Sequence, residues 1–273
     1  MSRLCTRGRN CVISLPLQVE GVGLWSPQLV NFDALRCLLK GEPYTAPGTR
    51  PAASALSPNE RRRAPESVLV AVEVASQAVT MSGRAAESLA CVFASAYGDQ
   101  VTTDYMCRVL AKAPTELSPT RFHNSVHNAA AGYWTIASEC RAPSSAVCAG
   151  NASFGAGLLE AAVLACADRR PVLLVSSDTA SMGPLGELIE CTQAFGCALV
   201  LSPAGDADKR LRLATTPSAP HHLPLPAECA AWMRDNPSAA SLPLLAMLAM
   251  GKGECVLAAS EQLGLHLQLE IVA

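Results

Sequence analysis

Residues 118–168 read SPTRFHNSVHNAAAGYWTIASECRAPSSAVCAGNASFGAGLLEAAVLACAD, and the second half of this stretch decides the fold. Ser145 to Ala149 is an apolar segment of strand length, Gly150-Asn151 makes a turn, and Ala152 to Ala167 continues as a long helical segment. Between Arg141 and Asp168 the single charged residue is Glu160. A helix apolar on nearly every side belongs in a protein interior. Strand, tight bend and buried helix is also the arrangement in which enzymes hold a nucleophile at a strained turn. The residue at this bend is Asn151, which has no nucleophilic atom to offer.

The composition supports a compact globular chain. Of 273 residues half are hydrophobic and 16% charged, enough for a sizeable core and too apolar for disorder. Aromatic residues are few, so the core must be built from Ala, Leu and Val, which suits close packing of helices on a sheet. A formal net charge of −2 gives no electrostatic case for nucleic-acid binding. The twelve cysteines include no C-x-x-C pair and no Cys/His set with zinc spacing. Cys91, Cys166, Cys197 and Cys255 lie in apolar runs, where a thiol acts as a small hydrophobe. No disulfide framework is expected, and the chain reads as reduced and cytoplasmic.

Arg3, Arg7 and Arg9 precede a short apolar run, VISLPL, that contains Pro16 and leads to no small-residue cleavage site. Residues 1–17 therefore read as a loose N-terminal extension ahead of one domain at 18–273. No stretch reaches the roughly 18 uninterrupted apolar residues of a membrane span.

Alternation predicts strands at Leu17–Trp25, Arg210–Thr215 and Leu265–Val272, and short apolar runs predict buried strands at Ser88–Ser95, Pro171–Ser177, Phe195–Leu201 and Cys255–Ala259. Helical spacing predicts helices at Phe32–Leu39, Glu66–Ser82, Val101–Ala113, Ser125–Ala137, Pro184–Ala194 and Pro237–Met250, with Asn236 as the cap of the last. Gly41–Pro65, with five prolines and the run Arg61-Arg62-Arg63, reads as a loop, as does Pro217–Pro226. Strands alternating with helices imply a layered α/β fold. No G-x-G-x-x-G follows a strand and no phosphate loop occurs, so no cofactor is expected.

Three stretches carry a family resemblance: SPTRFHNSVHNAAAGYWTIAS (118–138), ASFGAGLLEAA (152–162) and DNPSAASLPLLAMLA (235–249). With FGCALVL (195–201) they resemble the N-terminal half of β-ketoacyl synthases. Within that family they are similar to the short chain-length-factor-type proteins of aryl polyene and related clusters. The resemblance covers about residues 18–273. It implies a thiolase-like layered fold, one thiolase-type half whose mixed sheet surrounds a buried central helix, and work on acyl chains borne by acyl carrier protein. A working ketosynthase of this family places a Cys at the strand–helix bend and draws two His from its C-terminal half. The thiolate accepts the acyl group and the imidazoles support malonyl decarboxylation. Eight residues on from Pro143, the family's spacing lands on Asn151, and Asn cannot form a thioester. His221, His222 and His266 match no family motif.

The resemblance thus implies a non-catalytic subunit that pairs with a catalytic ketosynthase in a heterodimer, through a strand near 145–151, and bounds the length of the growing chain. Two other readings stand beside it: an active condensing enzyme using Cys148, and a scaffold without acyl contact. As a turn residue, Asn151 would tolerate left-handed geometry and cap the next helix. Cys148 would point into the core from inside the strand. His123 and His127, four apart, could face one way on a helix like a metal pair, but no third ligand is in view and no metal is expected. Instead, with Asn124 and Asn128, they would bond backbone under the pseudo-active site. Phe122, Gly150, Ser153 and Phe154 complete that frame, and Phe122, Tyr133 and Trp134 suit a core. Arg61, Arg62 and Arg63 would either be solvated or meet an acidic carrier protein.

Overall fold

The computed structural model of the protein describes residues 14–45, 48, 50–189, 191–205 and 209–271. Its strands are β1 (Ser14–Trp25), β2 (Ala90–Ala94), β3 (Ser144–Val147), β4 (Val172–Asp178), β5 (Phe195–Pro203), β6 (Lys209–Thr216), β7 (Glu254–Ala258) and β8 (Gly264–Ile271). Its helices are α1 (Phe32–Lys40), α2 (Pro58–Arg63), α3 (Glu66–Ser82), α4 (Gln100–Lys112) and α5 (Pro119–Asn124), followed by α6 (Ala129–Ala137), α7 (Ser153–Asp168), α8 (Gly183–Ile189), α9 (Ala227–Asp235) and α10 (Leu242–Met250). The strands form one mixed sheet in the order β3-β2-β4-β5-β1-β6-β8-β7.

β1 joins two wings of this sheet. Its first residues, Ser14–Leu17, pair with β6, and Leu17–Trp25 pair with β5. α7 lies between the wings, touching β2, β4 and β5 on one and β7 and β8 on the other. Strand alternation divides the side chains accordingly. Ala90, Val92, Leu174 and Leu199 share a core with Phe154, Leu158, Leu213, Leu257 and Leu267 around α7. Cys91, Phe93, Leu173 and Val200 point the other way, into a core with α3 and Trp134 of α6.

Close packing explains two glycines. A Cβ on Gly23 would come within 2.0 Å of the Val74 carbonyl, so β1 admits α3 only because Gly is there. Gly155 has the same relation to the Ala258 carbonyl, which lets α7 meet the end of β7.

Several expectations need correction. β1 starts at Ser14, so the last four residues of the supposed 1–17 extension belong to the sheet, while residues 1–13 lie outside the described residues. The Gly41–Pro65 loop contains α2, set by a capping box in which Ser57 and Glu60 bond each other's backbone N–H. α5 was hidden because Ser118 and Pro119 start a separate short helix before the one at α6. α9 was missed altogether; Cys229 and Trp232, one turn apart, are its buried residues. Pro237–Met250 splits into a 3-10 turn (Pro237–Ser241) and α10, so Pro243 falls in the first turn, where its missing N–H has no helical partner to lose.

The central helix is not buried all round. Glu160, Val163 and Ala167 form an exposed stripe on α7 beside β3, and Glu160 bonds the Ser145 hydroxyl. β3 likewise is an edge strand with Ser144 and Ala146 exposed, whereas β4 is buried throughout. The segment Gly150–Asp168 is long and apolar enough to cross a membrane by length and composition, and here its apolar side is the core of the wings.

Candidate functional site

The bend after β3 is built from backbone. Gly150 takes the left-handed conformation at φ +54°, and the N–H groups of Ala152 and Ser153 bond the carbonyls of Ala149 and Gly150 at 3.1 and 3.0 Å. Ser153, almost fully buried, accepts from Ala149 N at 2.9 Å and donates its hydroxyl to Gly150 O at 2.7 Å. These bonds fix where residue 151 must point. Asn151 is exposed, and its Oδ1 accepts from the Tyr97 hydroxyl at 3.4 Å.

The turn-residue reading of Asn151 is therefore corrected: Gly150 supplies the left-handed residue, and α7 starts after Ala152 with no side-chain cap. Cys148 is corrected as well. It lies past the end of β3, exposed, with its thiol donated to Ala96 O at 3.1 Å. Phe154, one residue into α7, is core and not site lining.

The loop after β2 faces the bend. Ser95 O lies 3.0 Å from His127 Nε2, which must carry a proton to donate, and it lies 3.3 Å from Ser153 Oγ. His123 and His127 do not share a helix face, because α5 ends at Asn124 between them. His123 is exposed against the Tyr133 ring, at 6.2 Å between centroids. Asn124 is buried and accepts from the Tyr133 hydroxyl at 3.1 Å, while Asn128 caps α6 without a side-chain bond. Of the four polar residues expected to bond backbone here, only His127 does so among the described residues. Phe122, expected in the core, is 56% exposed. Among the described residues no three His, Cys, Asp or Glu side chains gather as a metal site.

The thiols buried in the core are poor nucleophiles. Burial pushes Cys91, Cys197 and Cys255 up to about 12, so none is a thiolate at neutral pH. Cys166 is only half-buried, and burial raises it too. The C-terminal histidines are engaged elsewhere. His221 makes a backbone bridge with Val256, His222 bonds Leu223 O with its ring, and His266 meets Glu254 at 3.2 Å. β7 and β8 lie at the opposite edge of the sheet from β3.

A groove of about 500 Å³ opens between α2, α4 and α5. Arg62, Arg63 and Arg121 line it together with Glu66 and the buried Asp99. Burial first, and then the Asp99 charge, raise the Glu66 carboxyl, with Arg50 opposing. Arg61 turns away to donate to Ala52 O at 3.2 Å. The sequence reading missed Tyr97, Ser95 and the fully buried Asp178; the one signal for Asp178 was an acid at the end of the apolar run PVLLVSS.

Two sheet wings around a shared helix, with Asn151 at the bend between β3 and α7, define a thiolase-like fold. Residues 40–263 match the model of the β-ketoacyl synthase N-terminal domain, and the chain belongs to that family. Its fold is similar to a ketosynthase (ApeO) in complex with its chain length factor (ApeC) from Xenorhabdus doucetiae: 23% identity, TM-score 0.69, covering 93% of this chain and 99% of that one. The ishigamide ketosynthase/chain length factor is similar at 16% identity and TM-score 0.69, over 95% of this chain and 100% of that one. A type II polyketide acyl-carrier protein in complex with its ketosynthase (AntDE:AntF) is similar at 11% identity and TM-score 0.71, over 95% and 100%. No curated protein sequence matches the chain.

Proposed function

We propose that this chain is a non-catalytic subunit of chain-length-factor type, which pairs with a catalytic ketosynthase during carrier-protein-dependent elongation of a polyene, polyketide or fatty acyl chain. The observation that carries the reading is Asn151 at the bend, with His127 turned to the Ser95 carbonyl and the C-terminal histidines on the far wing. An amide cannot hold a thioester, and no second imidazole faces it. The exposed edge of β3 and the exposed stripe on α7 support pairing there, since an unpaired edge invites a partner strand. Solved relatives of the same fold include a ketosynthase with its chain length factor and a ketosynthase with its carrier protein. The subunit would supply shape, an apolar wall that decides when the chain stops fitting. Arg62 and Arg63, rather than Arg61, would meet an acidic carrier protein at the groove. Both partners would be met in the cytoplasm.

One observation favours a second reading: Cys148 is exposed three residues before Asn151. Co-expression with a catalytic ketosynthase encoded beside the gene, followed by a thiol-reactive ketosynthase inhibitor, separates the two. The proposal expects co-purification, one label per heterodimer on the partner's nucleophile, and loss of condensation. Stoichiometric label on Cys148 that abolishes condensation would establish the enzyme reading. Failure to co-purify with any ketosynthase would favour a scaffold without acyl contact.

A further inference from the structure

Asp178, at the end of β4, is buried, and among the described residues no cation bonds it. A buried carboxylate without a counter-ion is costly unless donors surround it. Here they come from two directions. From the loop after β2, the Ser95 hydroxyl and Ala96 N–H reach Oδ1 at 2.7 and 2.8 Å. From the 3-10 turn, the Ser238 hydroxyl reaches Oδ2 at 2.7 Å, while Asn236 donates its side-chain amide to the Asp178 carbonyl at 2.9 Å. Burial raises the carboxyl and these donors pull against it.

The first set of bonds leads to the bend. Ser95 Oγ also accepts from Gly98 N at 2.9 Å, which closes the loop on itself. The carbonyls of that loop then receive the His127 ring and the Cys148 thiol, Ser153 Oγ packs 3.3 Å from Ser95 O, and Tyr97 reaches Asn151. Every side-chain contact from this loop to the bend therefore starts from a backbone that Asp178 holds.

We propose that Asp178 is the positioning residue of the pseudo-active site, acting through Ser95 and Ala96 as an acceptor and not as a charge. Its function is to keep the bend in catalytic shape in a chain that has lost the catalytic atom. The inference rests on the non-catalytic reading of the bend but not on pairing, because the contacts it concerns lie within this chain.

The structure also says which change should be tolerated. In Asp178→Asn the remaining oxygen can serve Ser95 and Ala96. The new amide N–H would face Ser238, whose hydroxyl can accept and pass its own proton to Ser176, 2.9 Å away.

The test is alkylation of Cys148 by iodoacetamide in the full chain, read peptide by peptide, with exposed Cys107 on α4 as the internal reference. Asp178→Ala and Ser95→Ala should each speed Cys148 relative to Cys107 by about fivefold, the scale of one lost buried hydrogen bond. Asp178→Asn should stay near the parent rate. Ser238→Ala, which removes a donor from the other oxygen, should lower the melting temperature and leave the Cys148 ratio unchanged. If Asp178→Ala does not fold, Ser95→Ala decides. An unchanged ratio in Ser95→Ala overturns the proposal. So does equal acceleration in Ser238→Ala, which would mean general loosening, or Asp178→Asn labelling as fast as a loosened variant, which would mean the charge matters.

Discussion

At the scale of single residues, the contrast between Gly150 and Asn151 is instructive. Gly150 is required by backbone geometry, whereas Asn151 is exposed and makes one long hydrogen bond from Tyr97. Removing such a bond at the surface costs well under about 1 kcal/mol. Asn151→Ala should therefore leave the melting temperature within a few degrees, and product formation by the complex within about twofold, in a condensation assay. A large fall in turnover with the complex intact would mean that the amide takes part in chemistry. Cys148 shows why neighbours cannot be ranked from sequence. Its apolar surroundings suggested a core thiol, but β3 ends at Val147 and the chain turns outward there.

Elements were more legible than their contacts. α3 was readable to the residue, because its wide apolar face runs from Glu66 until Gly83 closes it in a left-handed cap. The bend and α7 were readable for the same reason, a run of apolar residues with one acid. What was not readable was which side of each element meets another. Beyond Glu160, the exposed Val163 and Ala167 look as apolar as the rest of α7, and only the position of β3 at an edge leaves them uncovered. α2 and α9 failed for the opposite reason: a helix of six residues and one with two buried positions have too little periodicity to stand out. Likewise nothing local in PVLLVSSD says that its acid will be enclosed by segments about 60 and 80 residues away.

Two predictions belong to β1 as an element. Gly23→Ala forces a Cβ against the Val74 carbonyl, a backbone atom that cannot rotate away. The change should destabilise the fold by about 2–4 kcal/mol in urea denaturation, by separating β1 from α3. At the bulge between Val19 and Gly21, Glu20 accepts from Arg84 at 2.6 and 2.7 Å and from Ser202 at 2.8 Å. The Arg84 hydrogen bonds, with Ser202 assisting, hold the Glu20 carboxyl below its ordinary value despite partial burial. A carboxyl depressed in the folded state stabilises it above the ordinary carboxylate range and loses that contribution as pH falls through its lowered value. Arg84→Ala should flatten the decline in melting temperature between about pH 5 and pH 3, and change little at pH 2. Because Arg84 is half exposed, the difference should shrink in high salt.

At the scale of the whole molecule, the two edges of the sheet are treated differently. β7 is closed by the backbone bridge from His221 to Val256, and Arg212, Gln268, Glu270 and Glu254 turn a polar face of that wing to water. At the other end β3 pairs with β2 alone, and its outer edge has no strand against it among the described residues. An open edge is a liability unless something covers it. The carbonyls of Pro143 and Val147 accept from Cys91 of β2 and from Ser95 just past it, so strand alternation puts the N–H and C=O of Ala146 on the outside. Proline at 146 would delete that outward donor without touching the ladder to β2. Ala146→Pro should therefore fold as the parent does, with a melting temperature lower by no more than a few degrees, and fail to co-elute with the ketosynthase in size-exclusion chromatography. Co-elution by a folded Ala146→Pro chain would show that pairing does not use this edge. It would also move the search for the partner to the exposed apolar side chains of α8, Leu185 and Leu188.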